Sequence, residues 1–157
     1  KSTGKFYTVL GDEIFPDGVD ENNPNITAGF LHFVDFSDLD NPVEVAKYEL
    51  PGQGSHNYWI EDDILYVAMY GGGVRIVDIS GDLLGDLYRQ GREIGYIMTG
   101  TSNAYIPNAT MSWGAQLYKG YVFYSDWNSG LGSSKVSELK PDNSKANQYI
   151  NKTPIID

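Results

Sequence analysis

The residues with the greatest capacity for chemistry in this sequence are His56 and the Asn57 that follows it. They precede a short aromatic segment that is typical of a β-strand, and an imidazole there can bind a transition metal or carry a proton near neutral pH. One His and one Asn do not make a metal site, and the second histidine, His32, lies about one structural repeat away. The sequence therefore favours a structural His56 that bridges backbone groups of adjacent repeats, with metal ligation as the alternative.

Two aspartates, Asp35 and Asp78, occupy one position of an internal repeat. The segment FLHFVDFS, which contains Asp35, returns 43 residues later as GVRIVDIS, which contains Asp78. A carboxylate that recurs in this way is expected to cap the following turn by accepting backbone N–H bonds near Ser37 and Ser80. As a catalytic acid–base pair the two would have to converge, which equivalent positions of adjacent repeats need not do. We therefore predict a structural role for both aspartates.

A turn near the end of the chain combines an aromatic ring with polar side chains. Trp127 lies between Asp126 and Asn128, so its indole is expected to be exposed. An exposed Trp flanked by polar groups suits a sugar ring or a partner protein. Together with Asn57 and Trp113, these residues form the predicted ligand-binding or partner-binding set.

Two further segments resemble ion-binding or phosphate-binding loops only in composition. The run that contains Gly72 and Gly73 is followed by neither a helix nor a Lys-Ser/Thr pair, so it is not a phosphate loop. We interpret these glycines as structural residues that allow positive φ in a tight turn. The loop at 17–23 is rich enough in oxygen to attract Ca²⁺, but it lacks the alternate spacing and the final Glu of an EF-hand. No cofactor is therefore predicted, and Ca²⁺ or a transition metal remains the alternative.

The composition excludes several classes of protein. Eleven basic and 21 acidic residues give a formal charge of −10, which repels phosphate, so nucleic acid is not an expected partner. Aromatic residues reach 13% and charged residues only 20%, which excludes disorder for most of the length. Cysteine is absent, which excludes disulfides, and no apolar run is long enough to span a membrane.

Two features point to an extracytoplasmic protein, in the periplasm, at the cell surface or secreted. The chain begins at Lys1 rather than Met, which is consistent with a processed or truncated product. N-glycosylation sequons begin at Asn25, Asn108 and Asn151.

The pattern of short apolar and alternating segments predicts an all-β protein. A repeat of about 43 residues built from short strands is typical of a β-propeller blade, which is a four-stranded antiparallel sheet. The segment 83–90 has some helical character, but the repeat favours a connection there. The predicted strands lie at 5–10, 29–36, 43–50, 56–60, 64–70, 74–80, 92–98, 111–117, 121–125 and, with a less apolar sequence, 131–136.

The strand pattern also predicts how the chain is divided. With the strands of a blade named a to d outwards, the chain holds b-c-d, then a-b-c-d, then a-b-c. Residues 1–28 form a strand and an acidic loop of a partial first blade, 29–131 form the propeller blades, and 132–157 form a weak last strand and a polar C-terminal tail. About two and a half to three blades do not close a ring, because propellers use four to eight. We therefore expect other protein subunits, or the missing blades of the same propeller, as partners.

Several motifs resemble those of one known family. The VDFS and VDIS cores, the DLDNP turn, SHNYWIED, YGGGVRIVD, GREIG, MSWG and SDWNSGL are similar to segments of the LVIVD-repeat family of extracytoplasmic β-propellers. The similarity covers about 29–131, and the order of the motifs resembles the C-terminal blades of such proteins. At 132–134 this chain has Gly-Ser-Ser where the family has an apolar strand. The resemblance implies the fold and adds little about activity.

Three functions are compatible with these observations. The first is a non-catalytic extracytoplasmic scaffold that binds proteins through loops on one face, since no set of residues indicates catalysis. The second is a metal-dependent enzyme with a site in the central channel. For that case, a resemblance to channel-site propellers such as methanethiol oxidase would imply a metal held by His56 and histidines of other blades. The third is a carbohydrate-binding module that uses Trp127.

Overall fold

The computed structural model describes residues 4–16, 18 and 27–136, and within them all regular structure is β. The predicted all-β class is therefore confirmed, and 83–90 contains turns and a two-residue strand but no helix. No helix in the described part of the chain is long and apolar enough to cross a membrane. The strands are β1 (Tyr7–Gly11), β2 (Leu31–Asp35), β3 (Val43–Tyr48), β4 (Tyr58–Glu61), β5 (Ile64–Ala68), β6 (Val74–Asp78), β7 (Gly85–Asp86), β8 (Glu93–Ile97), β9 (Ser112–Tyr118), β10 (Tyr121–Asp126) and β11 (Gly130–Lys135).

The strands form three sheets, none of which closes on itself. The first sheet has the order β1-β2-β3-β7, the second β4-β5-β6-β8 and the third β11-β10-β9. All pairs are antiparallel except β3 with β7, which is parallel. The two-residue turns between β4 and β5 and between β9 and β10 fit this pattern, because a hairpin turn can join only antiparallel neighbours.

The second sheet lies between the other two and is covered on both faces. Strict alternation along β5 sends Leu65 and Val67 into one core and Ile64 and Tyr66 into the other. The first core also contains buried residues of the first sheet, and the second core contains buried residues of the third. This explains why β5 is a nearly continuous apolar run, since both of its faces are removed from water.

Strand β6 shows the same division. Val77 is fully buried in the first core and Ile79 packs beside it, whereas Ile76 lies in the second core. The repeat therefore places its apolar residues on alternate faces, as the period of two requires.

The repeated aspartates cap turns, as the sequence predicted. Asp35 accepts a hydrogen bond from the backbone N–H of Ser37 at 2.9 Å, and Asp78 accepts one from Ser80 at 2.8 Å. Hydrogen bonds from the side chain and the backbone of Ser37 lower the pKa of Asp35. The two carboxylates end strands of different sheets, so their shared position reflects a shared turn.

The two predicted structural glycines serve different purposes in the turn before β6. Gly73 has φ of +75°, and a Cβ there would lie 2.3 Å from the carbonyl oxygen of Ile97. At Gly72 a Cβ would instead lie 2.5 Å from Cδ2 of Leu50. Positive φ explains the first glycine, and close packing between the first and second sheets explains the second.

Several predictions concern residues outside the described part of the chain. They are the Ca²⁺ loop apart from Gly18, the sequons at Asn25 and Asn151, and the tail beyond residue 136. The weak last strand is present as β11. Asn108 is exposed on a loop, with φ of +64°.

Candidate functional site

The structure brings His56, Trp113 and Trp127 together into one aromatic cluster. The imidazole of His56 is stacked on the indole of Trp113, with ring centroids 5.2 Å apart and an interplanar angle of 0°. Trp113 in turn lies 4.7 Å from Trp127, and Tyr70 meets His56 edge-on at 5.6 Å. Three of the residues that the sequence singled out are therefore neighbours in space, which the sequence alone did not predict.

Backbone hydrogen bonds between the second and third sheets position the cluster. Asn57 donates its N–H to the carbonyl oxygen of Trp113 at 3.1 Å. Tyr70 and Ser112 form an isolated antiparallel bridge, with reciprocal N–O distances of 3.2 and 3.0 Å. Because these contacts join the start of β4 and the end of β5 to the start of β9, the rings of His56 and Trp113 stand at a junction of two sheets.

His56 makes one contact that fixes its tautomer. Its Nδ1 lies 2.6 Å from the carbonyl oxygen of Trp113. A carbonyl can only accept, so Nδ1 carries a proton and donates it. The contact ties His56 to the backbone of the third sheet; the predicted bridge between adjacent repeats stays a prediction.

A glutamate that sequence reasoning did not select completes the cluster. The Oε1 atom of Glu13 lies 3.4 Å from Nε2 of His56 and also accepts a hydrogen bond from the hydroxyl of Tyr70. Burial and the adjacent Glu13 carboxylate together raise the pKa of Tyr70, which keeps the phenol protonated at neutral pH. Glu13 lies in the acidic loop after β1, where nothing in the sequence distinguishes it from its acidic neighbours.

The arrangement offers few ligands to a metal. Among the residues that the structure describes, no three His, Asp or Glu side chains converge as a metal site would require. The predicted role of His56 as a metal ligand therefore stays a prediction.

Asp126 and Asn128 use their hydrogen bonds to tie loops together. Asp126 is buried and accepts bonds from the backbone N–H groups of Met111 and Asn128, at 2.7 and 2.8 Å. The side-chain amide of Asn128 donates to the carbonyl oxygens of Ile106 and Ala109, both at 2.8 Å. These contacts hold the turn from which Trp127 projects, 39% exposed, so the two polar residues position the indole.

The second histidine lies apart from this cluster, on the outer face of the first sheet. His32 Nε2 is 2.8 Å from Oδ2 of Asp12, and its Nδ1 is 3.0 Å from Oε1 of Glu44. Burial lowers the pKa of His32, but the hydrogen bonds and charges of the two carboxylates outweigh it, so the pKa is raised overall. An ionised carboxylate can only accept a hydrogen bond, so the ring of His32 satisfies both Asp12 and Glu44 when both of its nitrogens carry a proton.

The sequence reasoning also missed two buried polar groups. Arg92 is fully buried and donates to the carbonyl oxygens of Ser80 and Asp82, both at 2.9 Å. Tyr48 of the first sheet donates to Glu93 of the second at 2.8 Å. A basic residue at the start of a predicted strand gave no sign that it would be buried.

The fold and the cluster define the class to which the molecule belongs, a protein of three stacked β-sheets with an aromatic and histidine junction between the second and third. Comparisons with protein-family models, with curated proteins and with solved structures gave no match.

Proposed function

We propose that the three sheets are consecutive blades of a β-propeller that resembles the LVIVD-repeat family. The order of strands within the sheets supports this proposal. β1 to β3 correspond to b-c-d, the second sheet to a-b-c-d, and β9 to β11 to a-b-c. Face-to-face packing of each sheet on the next, through two separate cores, is the arrangement that radial blades require.

In this proposal the protein is a non-catalytic extracytoplasmic scaffold that binds other proteins. The main support for this proposal is the outer face of the first sheet, where large apolar side chains are exposed. Alternation turns Tyr7 and Val9 towards the first core, so Phe6 and Leu10 point away from it, 60% and 51% exposed. A sheet face with large exposed apolar side chains is a contact surface for another sheet.

The hydrogen bonding of the predicted site residues supports a structural use of the cluster. His56, Asp126 and Asn128 direct their side chains at backbone groups of neighbouring segments. Such contacts hold loops rigidly in place, which is what a surface that presents a binding partner with fixed loops needs.

Sedimentation over a range of protein concentrations tests the scaffold. The proposal expects the 157-residue chain to self-associate, because a second copy can cover the outer face of the first sheet. Replacing Phe6 and Leu10 together by Ser should weaken this association at least about tenfold, the effect of losing about 1.4 kcal/mol of apolar contact.

A matched control is Tyr105→Ser, since Tyr105 is 86% exposed on a loop outside the sheets. This variant should associate as the parent does. A parent chain that sediments as a stable monomer at every concentration, or a Tyr105→Ser variant as impaired as the double variant, would contradict the proposal.

A further inference from the structure

An open groove of about 660 Å³ is lined by residues of the second and third sheets. It runs between β4 of the second sheet and strands β9 to β11 of the third, so both sheets contribute to its walls. The lining residues are Asn57, Tyr58, Trp59, Gly114, Ala115, Gln116, Phe123, Tyr124, Ser125 and Leu131.

The described lining of the groove carries no charged side chain, although the chain as a whole is acidic. None of the described residues that line it is Asp, Glu, Lys, Arg or His, whereas the protein has a formal charge of −10. An anionic ligand would be repelled by the overall field, and a cationic one would find no charged side chain among the described lining residues, although Glu61 lies beside Trp59. The ligand that fits this lining is neutral.

Two aromatic rings form exposed platforms in the groove. Trp59 is 39% exposed and Phe123 is 41% exposed. The indole of Trp59 is held in place because its Nε1 donates to Oε2 of Glu61 at 3.1 Å. A ring that is fixed before binding loses little conformational entropy when a flat ligand surface stacks on it.

Hydrogen-bonding groups without charge accompany the platforms. The amides of Asn57 and Gln116 and the hydroxyl of Ser125 line the same groove, and each can both donate and accept. Gly114 also lines the groove and has no side chain. A Cβ at this position would lie 2.9 Å from Oγ of Ser125, closer than normal contact allows. A wholly apolar ligand would leave these groups unsatisfied, which costs free energy.

We propose that this groove binds a neutral carbohydrate chain. A sugar ring has an apolar face that can stack on Trp59 or Phe123 and equatorial hydroxyls that match Asn57 and Gln116. Because the groove is open to solvent and has a volume of about 660 Å³, it suits several linked sugar residues rather than one. This activity goes beyond the scaffold and uses a different surface from Phe6 and Leu10.

Isothermal titration with neutral hexasaccharides of β-glucan, α-glucan, mannan and chitin tests the proposal. At least one of them should bind the protein saturably, with an affinity that salt does not change, and acidic polygalacturonate should not bind. Trp59→Ala and Gln116→Ala should each weaken the binding, the first by at least about tenfold, as expected for loss of a stacking platform.

Tyr105→Ala is the control, because Tyr105 is an exposed aromatic residue, 86% accessible, that lies outside the groove. It should leave the affinity unchanged. The proposal is overturned if no neutral hexasaccharide binds, or if Tyr105→Ala weakens binding as much as Trp59→Ala does. Self-association in sedimentation is measured without sugar, so the two proposals fail independently.

Discussion

The imidazole of His56 lies parallel to the indole of Trp113, and its Nδ1 donates to the carbonyl oxygen of the same residue. That oxygen also accepts the backbone N–H of Asn57, so two consecutive residues of one sheet are bonded to one carbonyl of the next. Stacking and hydrogen bonding thus act between the same two residues, at the junction of the second and third sheets.

Replacing His56 by Phe separates these two contributions. The new ring can still stack on Trp113, but the donated hydrogen bond is lost, and the free energy of unfolding should fall by about 1 kcal/mol. Urea denaturation followed by near-UV circular dichroism measures the change, with Tyr105→Phe as the exposed control. An unchanged midpoint would show that the bond contributes nothing. A stoichiometric transition metal lost with His56→Phe would instead favour the enzyme alternative.

Val77→Asp tests the register of the repeat. Val77 is fully buried in the core between the first and second sheets, and an unpaired carboxylate there costs several kcal/mol, comparable with the stability of a whole domain. We expect protein that is largely unfolded or insoluble. Ile60→Asp on β4 of the same sheet is the control, because Ile60 is 42% exposed and should tolerate the charge. A soluble Val77→Asp variant with an unchanged denaturation midpoint would show that the core is assigned incorrectly.

Two arginines close together in the chain should respond very differently to the same substitution. Arg92 is fully buried and bonded to backbone carbonyls, whereas the side chain of Arg89 is 61% exposed and lies 3.5 Å from Asp86. Arg92→Met removes donors from buried acceptors and should cost about 2 to 4 kcal/mol of unfolding free energy. Arg89→Met should cost less than about 1 kcal/mol. Equal effects in urea denaturation would contradict the buried placement of Arg92.

Substitution of two glycines with almost the same backbone angle distinguishes the stability cost of backbone strain from that of a steric clash. Gly73 and Gly52 have φ of +75° and +72°, but only at Gly73 would a Cβ meet another atom, the carbonyl oxygen of Ile97. Gly52→Ala should therefore cost about 1 kcal/mol for the left-handed conformation alone. Gly73→Ala should cost more than that, and thermal unfolding of both variants measures the difference. Similar losses would mean that the turn moves freely away from Ile97.

The all-β class and most of the strands were predictable because most strands have an apolar pattern of their own. The run at β5 predicts a strand that is covered on both faces, and Leu65 and Tyr66 do lie in different cores. Strand β7 was not predicted, because Gly85 and Asp86 have no apolar alternation. Their pairing depends on β3, whose Lys47 carbonyl also accepts the N–H of Leu87 at 2.8 Å.

The candidate site was less predictable, since it depends on how separate sheets align. His56 and Trp113 are 57 residues apart in the chain, and a one-residue shift of β9 would turn Trp113 to the other face. Single-residue arguments identified both side chains but not their contact. Glu13 and Gln116 had no local signal, because polar residues in loops and on strand faces are mostly solvated.

The raised pKa of His32 predicts a pH dependence of stability with a definite sign. Below the pKa of about 6.5 that an unfolded histidine has, the imidazole is charged in both states, so its pairing with Asp12 and Glu44 contributes fully to stability. As the pH rises through the higher folded-state pKa, the imidazolium loses its proton and that contribution disappears. His32→Gln should therefore destabilise the protein at about pH 5.5, by up to about 1 kcal/mol because both carboxylates are partly exposed, and by much less at about pH 8.5. Lys47 lies opposite His32 in the register of β2 and β3. It is present in both the parent and the variant, so it does not cause the difference in stability between them. Urea denaturation of parent and variant at the two pH values measures it, and Glu44→Gln should show the same trend with a smaller amplitude. A His32→Gln penalty that is equal at both pH values, or larger at the higher one, would show that the folded protein does not favour the charged imidazole between Asp12 and Glu44.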